Sequence, residues 1–370
     1  MTRTRFPWLL LAVVWSFTPS SARGQAPDPS QTPPPVPRGT QAPAPPPILT
    51  LLTVPKDAQV SLHGDSKLGG KTPLDLPVTA IGRYNIIVEG DGLARTHGVI
   101  YLPERGQLPF ILSEPRSGSL ALFLRGFNYP GVNAYSSART NRAVPLFLTA
   151  TGGLFMAVRS HLSYRDRLDE VGEYAEDRSR TERSTRNAWL IYTGGVYAMS
   201  ALDYWIRPRV ELVENSTTRL TLDVPKATRA GAMWRSLLVP GAGQEFANHR
   251  TRSTIWLSTV LLSGAGYVVA DYWVSRDEVD VKWAEIGVDT APPAGLDQAL
   301  LRLEQENRDL DVSRGVREAF GIAVLGFHAL NLIDATIMYL SLPIPSQPKM
   351  ATLEPLITPD LTGAAIHLRF

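Results

Sequence analysis

No cysteine occurs in the 370 residues. Disulfide staples, thiolate metal sites, cysteine nucleophiles and lipoprotein acylation are all excluded on that ground. Charge of one sign is equally scarce, the net charge being +2. Nowhere do arginines interleave with aromatic residues in the way that tracks a phosphate backbone, so nucleic acid is not an expected partner. The six histidines, His63, His97, His161, His249, His328 and His367, are scattered without metal-ligand spacing. There is neither a nucleophile elbow nor a zincin helix. No catalytic, cofactor or metal site is expected, and the chain reads as a non-enzyme.

What is present begins with a targeting signal. Arg3 and Arg5 precede the apolar run Trp8–Trp15, and Ala22-Arg23-Gly24 supplies small residues near a cleavage point. This pattern predicts a secretory signal peptide over residues 1–24. Prolines then dominate residues 25–47, with Pro33-Pro34-Pro35 and Pro45-Pro46-Pro47. Each fixes φ and lacks an N–H, so an extended linker is predicted.

Residues 48–113 alternate short β-rich runs (Leu49–Val54, Gln59–Leu62, Tyr84–Val88, Val99–Leu102) with glycine-bearing turns, which predicts a small all-β sandwich. Within it, "GDSKLGGKT" comes close to a phosphate-binding loop. The first glycine, Gly64, stands one place early, and Pro73 and Pro77 follow where a helix must run. Without that helix the amides cannot cradle phosphate, so the motif is a decoy. "VPKDAQVSLHG", "GKTPLDLP" and "GRYNIIVEGDG" together resemble the PEGA family of extracytoplasmic β-modules. Lys56-Asp57-Ala58 stands where the name-giving tetrapeptide falls. The resemblance implies a module of the bacterial envelope, contacting cell-wall material or an envelope protein, with no catalytic residues.

The rest of the chain repeats itself. "NYPGVNAYSSARTNR" (128–142) aligns with "LVPGAGQEFANHRTR" (238–252), placing Pro130-Gly131 on Pro240-Gly241 and Arg142 on Arg252. Each is followed by an apolar run, a charged stretch opening with Arg-Asp, a second apolar run ending near an aspartate (Asp203, Asp334), and a β-like segment ("RLTLDV", "AIHLRF"). Two tandem helical hairpins, 114–228 and 229–370, each followed by a short β-hairpin, are predicted. The charged stretches are expected as loops.

The apolar runs Ala143–Val158, Asn187–Leu202, Ser253–Ala270 and Ala319–Ile333 are expected to span a lipid bilayer. Small residues suit close helix packing there, and Trp189, Trp205, Trp256 and Trp273 near the run ends suit an interfacial belt. The second copy, with "SLLVPGAGQEF" and "NLIDA", resembles a bacterial membrane family catalogued as domain of unknown function 5683, which carries no assigned activity. The singled-out residues are Pro240, Gly241, Gly243, Gln244 and Phe246 at the turn and helix start, and the intramembrane polar residues Asp203, Asn331 and Asp334. The turn leads the chain into the membrane, or holds a phosphate or lipid headgroup at the helix start. Asp203 and Asp334 are polar glue between helices, with Asn331 placed to bond Asp334, or line an ion path. The expectation is an inner-membrane scaffold with its β-module in the periplasm. The rivals are a small transporter using the two aspartates and an outer-membrane location suggested by the terminal strand.

Overall fold

The computed structural model describes residues 49–340 and 353–366, apart from 65–66, 77–81, 103–108, 112–119, 138, 169, 171 and 359–360. The expected signal peptide and proline-rich linker lie outside these residues, as do His367 and the last residues of "AIHLRF".

Glycine-bounded β-rich runs give the first strands: β1 (Leu49–Val54), β2 (Gln59–His63), β3 (Lys67–Lys71), β4 (Leu74–Leu76), β5 (Gly82–Glu89), β6 (Thr96–Leu102) and β7 (Phe110–Ile111). Strands β3-β2-β5-β6-β7 form one sheet, with every pairing antiparallel. The decoy motif is the β2–β3 hairpin and the turn after it. Gly69 and Gly70 pair with Ser61 and Val60, and the Thr72 hydroxyl meets that of buried Thr53 at 2.6 Å. No helix follows.

The second sheet, β4-β1-β9-β8, draws half its strands from far along the chain. β8 (Glu211–Asn215) and β9 (Arg219–Asp223) form the hairpin expected to close the first repeat. β9 runs parallel to β1, with Thr50 opposite Arg219 and Val54 opposite Asp223. The sandwich therefore does not end at residue 113, where the division by sequence puts its boundary. Leu220, Leu222 and Val224 are buried in one core with Leu51, Leu62, Tyr84, Ile86 and Ile100. Alternation along each strand sends these side chains into the space between the sheets.

The helical part is built twice from the same pieces. The first set is α1 (Leu120–Gly126), α2 (Val132–Ser136), α3 (Thr140–Leu168) and α4 (Glu173–Trp205). The second is α5 (Arg229–Leu238), α6 (Ala242–Phe246), α7 (Arg250–Asp289) and α8 (Leu296–Leu340). A hairpin of β10 (Leu353–Thr358) and β11 (Leu361–Ile366) follows. Between the short helices of each set stands a Pro-Gly pair whose glycine is left-handed, φ 88° at Gly131 and 77° at Gly241. A Cβ at Gly131 would lie 2.4 Å from the Ala143 carbonyl oxygen, and one at Gly241 2.2 Å from that of Ser253. Sterics and backbone sign both demand glycine, at matching places in the two copies. Pro145 inside α3 leaves the Asn141 carbonyl without its helical donor. Thr254 Oγ1 donates to that oxygen at 3.3 Å, so the break is repaired from α7.

The charged stretches expected as loops are helix. α7 has 40 residues and α8 has 45, about 60 Å or more at 1.5 Å per residue, roughly twice the hydrocarbon thickness of a bilayer. Pairs between helices stabilise the polar ends: Lys282 to Asp177 at 2.7 Å, Arg314 to Glu278 at 3.2 Å, and Arg178 to Asp280.

Among the described residues three helices, rather than the four expected, are long and apolar enough to cross a membrane: those containing Thr140–Leu168, Arg250–Asp289 and Pro293–Met338. Their large apolar side chains face outward, among them Phe155, Leu162, Ile255, Ile322 and Leu325. That inside-out pattern suits lipid. α4, which packs against both α3 and α7, is not among the three. Its Trp189 is not part of an interfacial belt. It is 4% exposed and lies against Ala157 and Val268.

Candidate functional site

Where the β-module meets the helix ends, buried charge concentrates. Glu245, one residue after Gln244, is 4% exposed. Arg95, which precedes β6, donates to it through Nη1. Arg139 Nε donates at 3.0 Å, Ser253 Oγ at 3.2 Å and Asn141 Nδ2 at 3.3 Å. Arg139 also reaches Asp203 through Nη1 at 2.9 Å, and Arg142 Nη2 lies 2.9 Å from the other Asp203 oxygen. Arg142 Nη1 returns to Ser253 Oγ at 2.6 Å. One continuous network thus joins the β5–β6 connection, the starts of α3 and α7, the end of α4 and the α6 turn. Burial alone would raise the Glu245 carboxyl, but Arg139, Arg95 and Arg142 hold it well below its ordinary value.

The second copy repeats one element of this design. Arg252, the counterpart of Arg142, pairs with Asp334 at 3.0 Å. Trp256 Nε1 and Gln244 Nε2 donate to the same aspartate at 2.8 and 3.0 Å. The two copies differ in solvent access. Asp203 is buried, whereas the Asp334 side chain is 22% exposed. Of the two helix-end aspartates, only Asp334 reaches solvent.

The turn residues have internal partners. Gly241 N–H donates to Asn331 Oδ1 at 3.0 Å and Gly243 N–H to Ser236 Oγ at 3.0 Å. Asn331 Nδ2 donates to the Ser236 carbonyl, and Gln244 Nε2 to the Asn331 carbonyl at 3.1 Å. The helix-start amides read above as a phosphate or headgroup site are therefore occupied by protein. Asn331 does not bond Asp334; Gln244 links the two. Gly243 is needed for close approach, since a Cβ there would lie 2.1 Å from the Ala232 carbonyl oxygen. In the first copy Asn133 takes that place and donates to the Arg125 carbonyl at 3.1 Å instead. Phe246 lies under the Arg235 guanidinium, 4.1 Å from ring centre to Cζ, and its carbonyl accepts from Arg95 N–H at 3.0 Å.

Reading the sequence missed Glu245, Arg95 and Arg139. The available signal was a carboxylate inside an otherwise apolar turn motif, since a buried charge requires partners. Among the described residues no group of three His, Cys, Asp or Glu is close enough to hold a metal ion. Compared with protein-family models, curated proteins and solved structures, the chain matches none.

Proposed function

We propose that the protein is a non-enzymatic scaffold of the bacterial cell envelope. In this reading a PEGA-like β-module in the periplasm is clamped onto an inner-membrane domain of two tandem helical hairpins, the second like family 5683. Its partners are the bilayer and an envelope or cell-wall component. The observation that carries the reading is the state of the two helix-end aspartates. Asp203 is bound by Arg139 and Arg142, and Asp334 by Arg252, Trp256 and Gln244. Carboxylates held by fixed cations and donors serve as structural joints, which supports rigidity rather than a path for ions.

The orientation of the helices supports the same reading. Asp203 near the end of α4 meets Arg142 near the start of α3, so the two helices are antiparallel and a crossing by α3 entails a return by α4. The test is reconstitution of the full chain in vesicles carrying a pH-sensitive dye, with a proton gradient and membrane potential applied. A scaffold gives no flux above protein-free vesicles, and Asp334→Asn changes nothing. Proton flux that Asp334→Asn abolishes would overturn the reading in favour of a transporter.

A further inference from the structure

We propose that the outer face of the five-stranded sheet carries a binding site for an oxyanion of the phosphate class. Alternation in β2, β5 and β6 sends Leu62, Tyr84, Ile86 and Ile100 into the sandwich core. The residues between them therefore point the other way. In register, His63 stands opposite Asn85 and His97 opposite Ile87. Over this face lies a cleft of about 430 Å3 whose polar walls are His63, Arg83, Asn85, His97, Tyr204 and Arg207, with Ser137 beside Arg207. Among the described residues no aspartate or glutamate lines it. The volume falls within the usual range of small-molecule sites.

Behind the cleft surface lie donors without partners. His97 is 2% exposed and Arg207 6%, yet neither His97 ring nitrogen nor Arg207 Nε has a hydrogen-bond partner. Buried polar atoms are nearly always partnered, and these orphans, closed to solvent behind the cleft surface, are donors that a side-chain shift would bring to a ligand. Both residues are already positioned. His97 N–H donates to the Pro208 carbonyl at 3.3 Å, and its carbonyl accepts from Val210 N–H at 3.1 Å. Arg207 donates through Nη1 to Ser137 Oγ and lies over the Tyr204 ring at 5.3 Å.

Charge balance sets the ligand's sign. The adjoining network sets Arg95, Arg139, Arg142 and Arg207 against Asp203, Glu245 and the partly buried Glu89, which lies 3.4 Å from Arg95, and none of these carboxylates pairs with Arg207. Burial first, then Arg207, Arg95 and Arg139, hold the His97 imidazole well below its ordinary pKa. Guanidinium forks with imidazole N–H donors match a tetrahedral oxyanion, which accepts from several directions at once. The oxyanion belongs to a lipid headgroup or to a soluble phosphate compound. Tyr204 and Trp205 at the end of α4 put the cleft within reach of the bilayer surface, so both sources are tested.

The experiment uses the full chain in neutral detergent, titrated calorimetrically with inorganic phosphate and pyrophosphate; this arm does not depend on the scaffold reading. Saturable binding at one site is expected. Arg83→Ala, a change at an exposed residue, should weaken it about tenfold or more, the ordinary effect of losing a charge-assisted hydrogen bond. His97→Gln should do the same, with its melting temperature confirming the fold. The titration is then repeated in phosphatidylcholine nanodiscs with and without phosphatidylglycerol. Competition by the anionic lipid, lost in Arg83→Ala, assigns the site to a headgroup; unchanged phosphate binding assigns it to a soluble anion. Absence of saturable binding to phosphate, pyrophosphate and anionic lipid overturns the proposal. So does binding that neither variant alters.

Discussion

At the scale of single residues, Glu245 is the most consequential side chain of the helical turn. It neutralises Arg95 and Arg139, both nearly inaccessible. Glu245→Gln keeps the shape and removes the charge, leaving two buried guanidinium groups short of an anion. Breaking a buried pair in this way costs about 3–5 kcal/mol. A large fall in melting temperature in detergent is expected, with the exposed Glu285→Gln as an unaffected control. The sign of the pH effect follows from the same contacts. A carboxyl depressed in the folded state contributes its full stabilisation above its ordinary value of 4.5. That stabilisation declines as pH falls below 4.5 toward the depressed folded value, because the unfolded chain takes up the proton first. Wild-type protein should therefore melt progressively lower below about pH 4.5, and Glu245→Gln should have lost this part of the slope. The glycines before Glu245 were legible in sequence because a Pro-Gly pair before an apolar run has few uses. Glu245 was not, because its partners Arg95 and Arg139 lie 150 and 106 positions away.

At the scale of elements, the sandwich depends on a hairpin that the chain supplies only after two long helices. β1 sits between β4 and β9, so a chain ending at residue 113 leaves one edge of β1 unpaired. It also lacks Leu220, Leu222 and Val224 from a core they share with Leu51 and Leu62. Residues 48–113 alone should show no cooperative unfolding in urea by circular dichroism. The same segment joined by a flexible Gly-Ser linker to residues 209–227 should recover it, and cooperative unfolding of the shorter chain would show the hairpin to be dispensable. The strands themselves were legible because glycine punctuates them and β-branched residues fill them. The parallel β1–β9 pairing was not, since nothing local in "RLTLDV" names its partner. The helical ends were hidden for a different reason. Hydrophobic runs mark where a helix meets lipid or core, whereas the stretches beyond Arg165 and Arg276 are helical through polar pairing such as Lys282 with Asp177.

At the scale of the whole molecule, the arrangement predicts which parts lie on opposite sides of the bilayer. Asp203 with Arg142, and Asp334 with Arg252, bring both hairpins' open ends to the same side as the β-module. The closed ends, between Leu168 and Glu173 and between Asp289 and Leu296, point away from it. The absence of cysteine makes this directly measurable, because any thiol introduced is the only one present. Lys56 and Gly287 are both exposed, and a Cβ at Gly287 meets nothing within 4 Å, so Lys56→Cys and Gly287→Cys should leave the fold intact. With a membrane-impermeant maleimide, spheroplasts should label Lys56→Cys at once and Gly287→Cys only after lysis. The 40- and 45-residue lengths of α7 and α8 carry the second site well past a hydrocarbon layer of about 30 Å, so partial burial cannot mimic protection. Equal labelling of both sites in intact spheroplasts would mean that the hairpins lie on one side of the bilayer. The outward-facing apolar side chains of α3, α7 and α8 would then have to be covered by protein instead of lipid.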